Sequence, residues 1–82
     1  MNTNIEIKDE VKKIFFTVFQ NMSEQEFLWE KQQKDFENWD SFAQLNLITL
    51  AEAKFDISFS LDEATEIKSA NELFESIKSH LT

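Results

Sequence analysis

A chain of 82 residues has room for one domain, 1–82, near the lower limit of what a single hydrophobic core can hold together. Its apolar share of 41%, with nine Phe and two Trp, is enough for a core without staples, and the absence of Cys excludes disulfides and thiolate metal sites and fits a cytoplasmic protein. A net charge of −8, with eight Lys and no Arg, excludes nucleic acid as a partner, and no apolar run nears the roughly 20 residues that cross a bilayer, so membrane insertion is not expected.

The charged start, Met1 to Lys13, has no apolar stretch of the kind a signal peptide needs. Val11, Ile14, Phe15, Val18, Phe19 and Met22 then recur at three- and four-residue steps, which predicts an amphipathic helix. From Asn21 to Asp40 a long connection follows, with a short helix after Ser23, and Phe27, Leu28, Trp29, Phe36 and Trp39 are expected to pin it to the core. A second strong helix runs from Ser41 to Phe55. Phe55 to Phe59 alternates like a strand but has no strand to pair with, so an extended connector burying Ile57 and Phe59 is predicted. Ser60 to Lys68 reads as a turn or two of helix, and Ala70, Leu73, Phe74, Ile77 and Leu81 mark a C-terminal helix. The chain has neither Gly nor Pro, so something else must mark the helix ends. Five Ser/Thr-x-x-Glu/Gln pairs stand where starts are needed: Thr3 with Glu6, Ser23 with Glu26, Ser41 with Gln44, Ser60 with Glu63, and Ser69 with Glu72. The predicted fold is all-α, a small bundle of three main helices plus one short helix with a long first loop.

On the helix after Ser41, the residues Ala43, Leu47, Ile48, Leu50, Ala51 and Phe55 share one face, the predicted core face. The other side carries Asn46, Thr49, Glu52, Ala53 and Asp56, with Phe42 and Leu45 within a turn of Ser41. Those two are either packed under the aromatic loop or form an apolar patch for another protein. Charge is uneven as well: the stretch from Asp35 to the end carries −7 and the residues before it −1. This acidic balance serves solubility or docks onto basic partners. Ser41 with Gln44 makes a helix cap, while a helix N-terminus also suits an attached phosphodiester through its free amides and dipole.

Trp39-Asp40-Ser41-Phe42, the helix from Ala43 to Glu52, then Phe55-Asp56-Ile57 and Phe59 together resemble the phosphopantetheine attachment region of acyl carrier proteins. The family pattern is Asp-Ser-Leu opening the second helix, a Leu-rich face, an acid, and Phe-Asp/Gly-Ile before the third helix. The specific motif spans Trp39 to Glu63, and helix count, length, acidity and the long first loop extend the likeness over the chain. The resemblance implies that a phosphopantetheinyl transferase moves a 4'-phosphopantetheine arm from coenzyme A onto the Ser41 hydroxyl. The arm's thiol then holds an acyl group as a thioester, and the protein itself catalyses nothing. It further implies that Asp40 flanks the attachment point and aids the transferase. Phe42, Leu45, Asn46, Thr49, Glu52 and Asp56 would form the face that meets acyl-loading and acyl-transfer enzymes with basic patches, and a monomer is expected. Phe42 stands where the family usually has Leu, Asn46 and Ala53 replace acids common in fatty-acid carriers, and Asn38-Trp39 replaces the usual Gly. Those departures point to a dedicated carrier of a specialised, fatty-acid- or polyketide-like pathway.

Two other readings stand beside it. An aminoacyl or peptidyl carrier shares the fold and arm, although its Gly-Gly signature is missing here. An unmodified acidic helical adaptor would bind a protein partner through Phe42, Leu45 and its acidic face, with Ser41 only a cap. Catalysis by a Ser-His-Asp device would need a firmly held histidine, and His80 is read as a solvated residue of the last helical turn. Asp62, Glu63 and Glu66 are read as solvated surface rather than a metal site.

Overall fold

A computed structural model describes residues 3–81. It contains four α-helices: α1 Asn4–Val18, α2 Ser41–Phe55, α3 Leu61–Glu66 and α4 Ala70–Leu81, with short 3₁₀ turns at Glu24–Glu26 and Gln33–Asp35. No strand occurs among the described residues. The three long helices and one short helix match the sequence expectation. None of them is long and apolar enough to cross a membrane.

Capping residues begin the helices as the absence of Gly and Pro requires. Before α1, Thr3 Oγ1 accepts from the Glu6 amide at 3.2 Å while Glu6 Oε1 accepts from the Thr3 amide at 2.9 Å. Ser60 and Glu63 repeat this before α3 at 3.1 and 2.9 Å. Ahead of α4, Ser69 Oγ accepts from the Glu72 amide, but the Glu72 carboxylate reaches one residue further back, to the Lys68 amide. The end of α2 falls on Asp56, whose φ of 54° and ψ of 51° are left-handed, the conformation that Gly usually supplies after a helix.

α1 packs against α4 and α2, and the apolar stripes of all three meet in one core. Val11, Phe15, Leu47, Ala51, Leu73 and Ile77 lie fully inside it. The long connection closes one end. Its Phe27 and Trp39 are buried, Trp29 and Phe36 pack against the core, and Leu28 alone of the expected pins is exposed. Rings meet edge-on or tilted, Phe15 with Trp39 at 5.5 Å, Phe36 with Trp39 at 5.0 Å, and Phe19 with Phe36 at 5.0 Å. Such pairs add about 0.5–1.5 kcal/mol each beyond the area they bury. Lysines sit over several ring faces: Lys8 over Trp29 and Phe74, Lys12 over Phe27, Lys31 over Phe36 and Lys78 over Phe74. Backbone bonds from Gln33 N–H to Lys68 O (2.7 Å) and from Asn71 N–H to Trp29 O (2.9 Å) fasten the loop to the segment between α3 and α4. Ile57 and Phe59 pack against the core from an extended connector, as expected, but are half-buried rather than buried.

His80 is exposed in the last turn of α4, as its sequence reading has it, and it also has partners: its Nε2 lies 2.9 Å from Glu63 Oε2, and its ring meets Phe59 edge-on at 5.2 Å, which ties α4 to the start of α3. The Ser60 amide, and after it the His80 ring, hold the Glu63 carboxyl below the usual carboxylate range.

Candidate functional site

The loop enters α2 through Trp39, Asp40 and Ser41. The buried Trp39 ring fixes the approach, and its backbone carbonyl accepts from Gln33 Nε2 at 3.1 Å. Asp40 is the residue that caps α2: its Oδ1 accepts from the Ala43 amide at 2.9 Å and its carbonyl from the Gln44 amide at 3.0 Å. The expected Ser41–Gln44 capping box is therefore corrected by one residue. Asp and Ser are equally good caps, and Asp40 wins because the helix starts at Ser41. Ser41 becomes the first helical residue, exposed, with its hydroxyl released from capping. Helix geometry also leaves the amides of Ser41 and Phe42 without intrahelical partners.

Freed from the cap, Gln44 turns inward. Its Oε1 accepts from Trp39 Nε1–H at 2.7 Å, and its Nε2 donates to the carbonyls of Ala64 and Ile67, the latter at 3.0 Å. No local spacing pointed to this, because the carbonyl partners lie 20 and 23 residues away.

Around Ser41 the surface is apolar where the helix is otherwise polar. Phe42 is 79% and Leu45 61% exposed, which excludes their packing under the aromatic loop, and Leu61 at the start of α3 is 80% exposed. Asn46 and Thr49 are exposed further along α2, and Asp56 is exposed just past its end. Glu52 is half-buried, and its Oε2 accepts from the Phe59 amide at 2.9 Å, so part of its charge is spent inside the fold. Among the described residues no group of His, Cys, Asp or Glu is placed to hold a metal ion.

No protein-family model matches the sequence, nor does any curated protein. The solution structure of a holo acyl carrier protein from Geobacter metallireducens does match, with a TM-score of 0.77 and 29% identity over 92% of this chain and 85% of that one. The chain is acyl-carrier-protein-like. An acyl-carrier-like fold is that of a carrier and not of a catalyst, and its elements here are all helical. Within that fold, the sequence places Ser41 at the head of the second long helix, where cap, exposure and apolar surroundings meet.

Proposed function

We propose that the protein carries an acyl group as a thioester on a 4'-phosphopantetheine arm joined to Ser41, and hands it to a dedicated set of enzymes. The supporting observation is the state of Ser41 itself: exposed, at the first position of α2, with capping delegated to Asp40. The residues present fit the group. Two unpaired helical amides beside the serine favour a phosphodiester, and nothing covers the hydroxyl's approach.

In the loading step the Ser41 oxygen attacks the phosphorus of coenzyme A that carries the pantetheine. A phosphodiester forms to Ser41, the pyrophosphate P–O bond breaks, and adenosine 3',5'-bisphosphate leaves. The serine proton passes to a base of the transferase. When bound, the arm supplies a thiol that holds the cargo. This chain's own part is to present and to be recognised. Asp40 holds the turn. Phe42 and Leu45 offer apolar contact, with Asn46, Thr49 and Glu52 further along the same helix and Asp56 at its C-terminal cap. The −7 carried from Asp35 onward would draw in partners with basic patches, and steering of this kind raises encounter rate more than affinity. Shallow contact suits a carrier that must leave each enzyme quickly.

Intact mass spectrometry after incubation with coenzyme A and a broad-specificity phosphopantetheinyl transferase tests the reading. A gain of one arm by the wild type and none by Ser41→Ala is the expected result. An unchanged mass for the wild type would leave an unmodified acidic adaptor as the better account. Offering the modified protein to fatty-acid synthesis enzymes checks the dedicated pathway, which efficient elongation by them would overturn.

A further inference from the structure

Gln44 holds three segments with one carboxamide. A primary amide has two N–H donors and a carbonyl acceptor, and here the donors go to Ala64 O and Ile67 O while the acceptor takes the Trp39 indole N–H. The two carbonyls lie at the C-terminal end of α3, where helical carbonyls have no partner of their own. Trp39 is 5% exposed, so its indole N–H has no other outlet if Gln44 leaves. α3 is six residues long, contributes no fully buried residue, and lies outside the principal packing of α1 with α4 and α2. Its place therefore depends on a few discrete ties: Gln44, the buried Ile67 just after it, the Glu63–His80 contact and the bond from Gln33 to Lys68. Two of these ties also reach Trp39, two residues before Ser41: Gln33 holds its backbone carbonyl through Nε2, and Gln44 is the one that holds its indole N–H.

We propose that Gln44 is a positioning residue that makes the seating of α3 and the geometry of the Ser41 turn one event. With α3 seated, the carboxamide is held from one side and fixes the Trp39 tip on the other, and Ser41 is presented in a single orientation. With α3 displaced, the carboxamide loses its anchor, the indole N–H is left unpaired, and the turn loosens. The functional consequence rests on the carrier reading: a partner that engages exposed Leu61 at the start of α3 alters how Ser41 is offered, without touching Ser41.

The experiment uses two variants that approach the latch from opposite sides. Gln44→Leu removes the carboxamide. Thr65→Pro breaks α3 from an exposed position and touches neither Gln44 nor Trp39. The readouts are the Trp39 indole N–H resonance, one of two such signals in the chain, and the KM and kcat for arm transfer at the Ser41 hydroxyl. Both variants should move the Trp39 signal and raise KM about tenfold, with kcat held within about twofold, provided far-UV circular dichroism shows α1, α2 and α4 retained. A Thr65→Pro protein with an unchanged Trp39 signal and unchanged KM overturns the latch, even if Gln44→Leu is impaired. If the wild type gains no arm, the carrier reading falls, and the response of the Trp39 signal to Thr65→Pro still decides the coupling.

Discussion

Trp39 and Phe42 are large aromatic residues on either side of Ser41, three positions apart, yet Trp39 is 5% exposed and Phe42 79%. Apolarity alone does not separate them. Trp39 belongs to a ring cluster with Phe15, Phe19 and Phe36, and its one polar atom finds Gln44. Phe42 leaves the same turn on the far side of the helix and touches nothing that seals it. Burying such a side chain would contribute roughly 1.5–3 kcal/mol, a large forfeit for a small domain. Leu45 and Leu61 are left out as well. The contrast separates residues that hold the turn from residues that face a partner.

The largest effect expected is on the sealed side. Trp39→Ala should cost about 3–5 kcal/mol in urea unfolding, whereas Phe42→Ala should stay within about 0.5 kcal/mol. Equal losses would dissolve the distinction between the two. Next comes the cap. Asp40→Ala should cost about 1 kcal/mol, while Ser41→Ala changes stability by less than about 0.5 kcal/mol and still abolishes the gain of mass. A larger loss for the serine than for the aspartate would return the cap to Ser41. At the other end of α2, Asp56→Gly should raise the thermal midpoint, by up to about 1 kcal/mol of stability, because a left-handed residue without a Cβ is relieved of its clash. The smallest effect is acid sensitivity. The Thr3, Ser23 and Ser60 amides hold the Glu6, Glu26 and Glu63 carboxyls below the usual range. A carboxyl depressed by folding stabilises the folded chain above its unfolded value, about 4.3, and the contribution is lost as pH falls through the lowered value. Melting curves from pH 7 downward should therefore lose slope in Glu6→Gln and Glu63→Gln. A slope identical to the wild type would remove the caps as its source.

Much of this was legible before any coordinates. Three- and four-residue apolar steps place α1, α2 and α4, because each must bury one stripe against the others. Helical spacing gives the core face of α2 at Ala43, Leu47, Ile48, Ala51 and Phe55, all buried, with Leu50 at its half-buried edge. Capping spacings located the starts of α1 and α3. What local spacing could not give was the choice between Asp40 and Ser41, since both side chains cap equally well and only the path of the preceding loop decides. Nor could it give Gln44 or His80, whose partners lie far along the chain and become neighbours only once α3 is in place. The candidate site was legible where its residues project outward and illegible where they hold one another.

The lysines laid over Trp29, Phe27, Phe36 and Phe74 bear on more than stability. Five of the eight Lys fall before Asp35, and most of the net negative charge falls after it. A positively charged surface would draw in so acidic a body before any contact forms. Added salt would blunt that attraction and slow arrival, while the lifetime of the complex once formed, set by the apolar side chains, would change little.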